Sequence, residues 1–494
     1  MKNLLLAAMI VVIVSGVFVL SSSRSIHAQR SRILFRLTEV PQARPTGERS
    51  SVASLRESRI EFQDLTLEAN RSAKQRFPLF DGSIHQAART SFEERGPSDF
   101  TWRGKIEGTD NDVILTFKNG RVAGLIYGPQ AVYEIVPAGD AHILVELDQA
   151  RFPECGGEVM ETKPQANIQP LAPQAPADSG DRIDVLVLYT AAVKASLGGE
   201  SQAQTFAQAA IDSANTTYLN SKVRQRLRLV HAQESTFVET GSLSSELSGF
   251  RQTAETQNLR NQYNADLVAL ISNSTDNCGI GQLGNSAGNS NWAFTATSRT
   301  CAVGNLSFAH ELGHNMGSHH NPESGSGAAF SYGYGHYVDG VFRTVMSYVD
   351  PCPSGCTRRP YFSNPSVLFG AYPTGLENAR DNARSLNNMS DVIANYRYSG
   401  SSLTMNDHNG GEFIPRLISR NITWTSDGLA GGNVKIELSR NESVSWETLV
   451  ASTPNDGAAI VNVTGRPTKN ARIRITSLES PTVSDSSVRN IAIR

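Results

Sequence analysis

Short apolar runs alternating with turn residues fill residues 29–160, and the segment DVILTFKNGRVAGLIYG shows the pattern most clearly. Two strand-like stretches flank Asn119-Gly120, a dipeptide suited to a two-residue hairpin turn because both positions need positive φ. This part is expected to be mainly β. The pattern lapses in KPQANIQPLAPQAPADSGD, from Lys163 to Asp181, which is rich in Pro, Ala and Gln and has no apolar period. An extended, protease-accessible linker over 163–180 is predicted. Next, RIDVLVLYT, Arg182 to Thr190, is a nearly continuous apolar run of strand length, and SQAQTFAQAAIDSANTTYLNSK has helical spacing with Ser201 as the expected cap. ADLVALIS, Ala265 to Ser272, reads as a second buried strand. Strand, helix, strand and a further helix predict an α/β unit over 181–398. From residue 400 to 494 the runs NVKIELSR, AAIVNVTG, ARIRITSL and NIAIR, separated by Gly, Pro, Asn and Ser, predict a small β-sandwich.

A chain of 494 residues is too long for one core, in keeping with about three folded units. Lys2, the apolar run Leu4 to Leu20, the polar stretch Ser21 to Ser25 and Ala28 have the order of an export signal, with cleavage expected after Ala28 and an extracellular product. The run also has the length of a short membrane span, so a retained anchor is the alternative; no later segment could cross a bilayer. The 45 Lys and Arg nearly balance 47 Asp and Glu, and a net charge of -2 provides no field favouring nucleic acid or anionic lipid. Five cysteines in an exported chain suggest disulfides with one thiol left over. Of the three connectivities open to Cys278, Cys301, Cys352 and Cys356, loop length and proximity favour Cys278 with Cys301 and Cys352 with Cys356.

The chemistry concentrates in HELGHNMGSHH, His310 to His320. His310 and His314, four apart, project from one face of a helix toward one ion. Glu311 is placed to take a proton from a water that attacks a scissile carbonyl, because three imidazoles on zinc leave the fourth position open. Gly317 falls where a helix can end in a left-handed turn, redirecting the chain so that His320 supplies the third ligand. His319 competes for that role, but the spacing points to His320.

HELGHNMGSHH resembles the metzincin metallopeptidases, whose Met-turn is matched by RTVMSYV around Met346. The resemblance implies an α/β catalytic domain with a twisted mixed sheet and an active-site helix, one catalytic Zn2+, and protein or peptide substrates. It also places Met346 as a hydrophobic floor beneath the histidines, and Tyr348 as either a transition-state donor or a structural hydroxyl. Asn321 departs from the Glu of astacins and the Asp of adamalysins at that position. Together with FRTVMSY, CPSGC and PYFSNP, the motif is most similar to the bacterial peptidyl-Asp metalloendopeptidases, reprolysin-like enzymes that cut on the amino side of Asp. That preference asks for a cation in the pocket beyond the cut, for which Arg343, Arg358 and Arg359 are candidates. It would also make Asp178 and Asp181 points of self-cleavage.

Cys155, in FPECGGE ahead of the linker, could occupy the open metal position and exclude the catalytic water. Matrix metalloproteinase propeptides carry Arg where Glu154 stands here, so their supporting salt bridge is absent. The stretch from Phe100 to Leu147 resembles reprolysin-type propeptides, which makes 29–162 a candidate propeptide. The last unit carries no titratable cluster; it is either a stabilising appendage or a module for a surface or polysaccharide ligand. No acidic loop of EF-hand spacing indicates calcium. The competing readings are a broad-specificity metzincin protease and a surface adhesin with an inactive zinc domain, the latter disfavoured by an intact His310, Glu311, His314 and His320 set.

Overall fold

The Asn119-Gly120 turn forms as its residues require: φ values of 50° and 73° let Asp112–Lys118 and Arg121–Tyr127 pair antiparallel, with Lys118 opposite Arg121. The computed structural model describes residues 32–43, 53–159, 177–284, 288–429, 431–443 and 445–494. The expected signal and most of the Pro-rich linker lie outside the described residues. This hairpin is central in a ten-stranded antiparallel sheet running from Phe35 to Leu147. One face of the sheet buries Phe77, Phe100, Trp102 and Phe117. The other presents Ala123, Leu125, Tyr127 and Val132 to the α/β unit, and these residues share a core with Phe206, Ala210 and Phe308. Burial on both faces explains why the two hairpin strands carry consecutive apolar residues, Val113–Leu115 and Leu125–Tyr127, instead of alternating.

The α/β unit is built on a six-stranded sheet in the order 158–159, 279–282, 294–298, 267–272, 182–189, 226–234. Strand 279–282 runs antiparallel to 294–298, and the pairings among 294–298, 267–272, 182–189 and 226–234 are parallel. The two expected apolar strands are present as Arg182–Tyr189 and Leu267–Ser272. The long helix Glu200–Asn220 packs on both hairpin strands of the N-terminal sheet, on strand Arg226–Glu234 and on the helix bearing the His motif. Its cap is not Ser201, which lies in the first turn. A separate helix, Ala191–Leu197, capped by Thr190, ends at Gly198 (φ 92°), and Gly199 (φ 147°) restarts the chain. Two successive glycines make that corner because a Cβ on Gly198 would lie 2.3 Å from the Gly139 nitrogen.

The end of the expected linker is not free chain. Asp178 N–H donates to Asn395 Oδ1 at 2.8 Å, and its carboxylate accepts from Ser399 N–H and Oγ–H, both at 2.7 Å. The Asp181 carbonyl accepts from Arg226 N–H at 2.8 Å. Both aspartates expected as self-cleavage points are therefore fastened to the α/β unit by hydrogen bonds.

Beyond residue 400, a three-stranded and a six-stranded sheet enclose one apolar cluster that includes Trp424, Val434, Ile436, Ile473 and Ile475. This unit rests on the α/β unit through Ser179 Oγ–H to Asp485 Oδ1 at 2.6 Å and Arg182 Nη1 to the Thr482 carbonyl at 2.7 Å.

Candidate metal centre

His310 and His314 lie one turn apart on the helix Ser307–Asn315, all of whose residues are buried. The helix stops at Gly317, whose φ of 77° closes a left-handed cap: Gly317 N–H donates to the His314 carbonyl at 2.9 Å and Ser318 N–H to the Gly313 carbonyl at 3.0 Å. The reversal carries His320 back over the helix. The three Nε2 atoms then stand 3.1 Å (His310 to His314), 3.2 Å (His310 to His320) and 3.1 Å (His314 to His320) apart. A tetrahedral ion with Zn–N bonds of about 2.0–2.1 Å sets its nitrogens about 3.3–3.4 Å apart, so the donor set fits zinc.

Backbone carbonyls orient two of the rings. His310 Nδ1–H donates to the Val345 carbonyl at 2.8 Å and His314 Nδ1–H to that of Ser318 at 3.0 Å, which leaves the Nε2 lone pairs pointing inward. Burial, followed by the neighbouring histidines, pushes His310 and His320 well below the usual imidazole range and keeps them neutral, as ligands must be. His319 turns elsewhere: its Nδ1 accepts the His320 N–H at 2.7 Å.

Two glycines absent from the sequence reading make room for Glu311. A Cβ on Gly279 would lie 2.3 Å from Glu311 Oε1, and one on Gly281 would lie 2.8 Å from the Glu311 carbonyl oxygen. Their signal was the period-2 pair in Gly279-Ile280-Gly281, on a strand that needs a bare face where a helix closes on it. Gly313 does the same beneath the histidines, where an added Cβ would lie 2.7 Å from Met346 Sδ. Met346 is fully buried there. Asn321, another residue given no role from sequence, joins the His320 loop to the Met346 turn. Its Oδ1 accepts from Tyr348 N–H at 2.9 Å and Ser347 Oγ–H at 3.2 Å.

The fourth side of the site is taken by the N-terminal unit. Cys155 Sγ lies 3.8 Å from His314 Nε2 and 3.6 Å from Glu311 Oε2, and the ligand atoms of Cys155, His310, His314 and His320 all fall within 4.8 Å of one another. With a Zn–S bond of about 2.3 Å, a tetrahedral site separates sulfur from nitrogen by about 3.6 Å. Backbone pairing fixes the segment: Cys278 N–H donates to the Glu154 carbonyl at 2.9 Å, Gly156 N–H to that of Gly279 at 2.7 Å, and Glu158–Val159 runs parallel to Gly281–Gln282. Tyr348, its ring 4.1 Å from that of His320, donates its hydroxyl to the Cys155 carbonyl at 3.3 Å.

The three candidate arginines part company. Arg343 and Arg358 are buried, 2% and 5% exposed, and both donate to the Ser347 carbonyl, at 2.8 and 3.1 Å; Arg358 also donates to Asn305 at 3.0 Å. The Nε of each has no hydrogen-bond partner, and among the described residues neither guanidinium has a carboxylate within ion-pair distance. Burial and then the Arg358 charge push Arg343 well below the usual guanidinium range, and burial brings Arg358 down to about 10. Arg359 instead faces the N-terminal sheet, donating to Asn111 Oδ1 at 2.9 Å over the ring of Tyr127. Disulfides join Cys278 to Cys301 and Cys352 to Cys356, and Cys155 is unpaired.

A model of the Metallo-peptidase family M12 (Reprolysin_5) matches residues 179–363. The peptidyl-Asp metalloendopeptidase of Stenotrophomonas maltophilia (strain R551-3) is 32% identical over 321 residues, 61% of this chain and 75% of that protein. That of Xanthomonas campestris pv. campestris is 32% identical over 316 residues, 61% and 74% of the two chains. A third, from Pseudomonas aeruginosa, is 31% identical over 311 residues, 57% of this chain and 50% of the relative. The His motif lies inside the matched stretch, on a helix whose geometry suits a catalytic metal, and the chain accordingly belongs to the reprolysin-like metzincins of family M12, zinc endopeptidases, with the bacterial peptidyl-Asp metalloendopeptidases as its relatives.

Proposed function

We propose that this chain is an exported zinc endopeptidase, made latent, that cleaves before Asp, with His310, His314 and His320 as the metal ligands. The observation that carries the reading is the convergence of three Nε2 atoms and the Cys155 thiol on one point beside Glu311. When bound, zinc supplies Lewis-acid polarisation of the scissile carbonyl and a lowered pKa for water. Glu311 takes the proton of the attacking water and delivers it to the departing amide nitrogen, so no net proton is gained or lost. Tyr348 donates its hydroxyl to the carbonyl oxygen as negative charge develops there, the use to which it now puts the Cys155 carbonyl. Strand Gly279–Gln282 offers its outer edge to a substrate backbone, as it does to Glu158–Val159.

Latency follows from Cys155 standing where the water must be. Support for the Asp preference comes from Arg343 and Arg358, two buried guanidiniums with no carboxylate at ion-pair distance among the described residues, next to the Met346 turn. Such a pair is costly in the resting protein, and a substrate carboxylate would relieve it. Arg359 bonds to Asn111 of the N-terminal unit and loses that partner when the unit leaves, so it stays the third candidate for the pocket.

To test the reading, the protein is freed of its N-terminal unit and incubated with a denatured protein mixture, with and without a zinc chelator, and every new N-terminus is sequenced. Chelator-sensitive termini that start mostly with Asp support it. Termini of mixed identity leave a broad-specificity protease, and absence of cleavage, matched by Glu311→Ala, overturns the enzyme reading in favour of an adhesin.

A further inference from the structure

Among the described residues, many contacts hold the N-terminal unit against the α/β unit, and these lie outside the chain that connects the two. Leu125, Tyr127, Val132, Leu147 and Phe152 belong to the same continuous apolar core as Phe206 and Phe308 of the α/β unit. At the edge of the interface, Gln202 Nε2 donates to the Gly139 carbonyl at 2.7 Å and Gln149 Nε2 to that of Gly304 at 3.1 Å.

Also buried between the two units is Asp212, on the long helix and 0% exposed. Its carboxylate accepts from Thr101 Oγ1 at 2.5 Å, Thr116 Oγ1 at 2.6 Å, and Arg95 Nη1 and Nη2 at 3.2 and 3.3 Å, while Arg103 Nη2 stands 3.7 Å away. All of these partners lie in the N-terminal sheet; Gln208 Nε2, at 3.1 Å, is the contact from its own helix. Arg103 Nε, in turn, donates to Thr216 Oγ1 at 2.9 Å, one helical turn further on.

We infer that the face of the helix Glu200–Asn220 around Asp212 is a docking surface for the N-terminal unit that outlasts cleavage of the linker, so that the cut chain is a tight, still inhibited complex of two fragments. The inference rests on reading residues 29–162 as a propeptide and concerns how its inhibition ends. An interface continuous with a domain core and pinned by a desolvated ion cluster dissociates slowly, unlike the polar, smaller contacts between independently moving domains. Cutting within 160–176 removes none of the contacts named above. Activation then needs a second event, the destruction or displacement of the N-terminal unit.

The test uses the full chain carrying Glu311→Ala, to prevent self-digestion, with the recognition sequence of a site-specific protease replacing residues within 165–174. After complete cleavage, both fragments are expected to elute together on gel filtration at micromolar concentration. Separate elution overturns the inference. Asp212→Asn in the same background, which leaves Arg95 and Arg103 buried without their anion, is expected to raise the dissociation rate on the order of 30-fold or more, read by exchange with a labelled N-terminal fragment. An unchanged rate removes Asp212 from the docking surface. Because the readout is association and not proteolysis, it stands apart from the latency reading, which is checked by comparing the activity of uncut wild-type chain with that of Cys155→Ala.

Discussion

Replacing Arg358 with Gln separates recognition from architecture more cleanly than any other change at this site. Arg343 and Arg358 bond to the same Ser347 oxygen at 2.8 and 3.1 Å, so the two donor nitrogens are at most about 6 Å apart. At an effective dielectric of ~20, two like charges at that separation repel by roughly 3 kcal/mol. Arg358→Gln removes this repulsion but deprives the Asn305 carbonyl of its donor, a loss on the order of 1–3 kcal/mol, while the Ser347 carbonyl keeps Arg343. The opposing effects nearly cancel, and thermal stability should move by only a few degrees. Recognition has no such offset: truncating one partner of a buried, hydrogen-bonded charge pair costs about 2–5 kcal/mol. With Asp after the cut, kcat/KM should therefore fall roughly 30-fold to several thousand-fold. With Asn, which has the shape of Asp without its charge, the change should stay under about tenfold. The assay is a pair of quenched fluorescent peptides differing only in that residue, measured alongside a melting curve. Equal losses on both peptides, or an unchanged Asp-to-Asn ratio with intact folding, would refute the assignment of Arg358 to the pocket.

Three further outcomes follow from distances and burial. Cys155→Ala in the uncut chain should show peptide hydrolysis that the wild type lacks, and a thiol-modifying reagent should do the same to the wild type; silence in both would show that something other than the thiol blocks the site. Gly279→Ala places a methyl group 2.3 Å from Glu311 Oε1, so the carboxylate must move. We expect a stability loss of about 1–3 kcal/mol, metal content unchanged by atomic absorption, and a kcat that collapses; full kcat would show that the position of Glu311 does not matter. Glu134, buried against Gly304 with only Arg299 to offset the loss of solvent, is pushed from its ordinary 4.5 up to about 8. Because the folded, docked form favours the protonated carboxyl, the contribution of Glu134 to stability is full below about pH 4.5, declines as pH rises toward 8 and levels off above it. Glu134→Gln should flatten that decline in urea midpoints taken between pH 5 and 9, and an equal slope in both proteins would exclude Glu134 as its source.

Much of this protein was legible without coordinates, because the relevant physics is local. Four-residue spacing puts His310 and His314 on one helical face, Gly317 must adopt a backbone that other residues resist, and Asn119-Gly120 demands a hairpin. Each depends on a few neighbouring dihedrals, which the residues themselves dictate. Tertiary structure decided what depends on residues far apart in the chain. Nothing local distinguishes Arg343 and Arg358 from Arg359; their separation arises because the first two meet at the Ser347 carbonyl while the third meets Asn111, over 200 positions upstream. The same holds for Asp212, an ordinary helical aspartate in sequence whose partners lie on a different sheet, and for Asp178 and Asp181, which read as linker until their contacts with Asn395, Ser399 and Arg226 are seen. Apolar periodicity records that a strand face is buried but not by what, so the hairpin strands Asp112–Lys118 and Arg121–Tyr127 gave no sign that their second face completes the core of the catalytic unit.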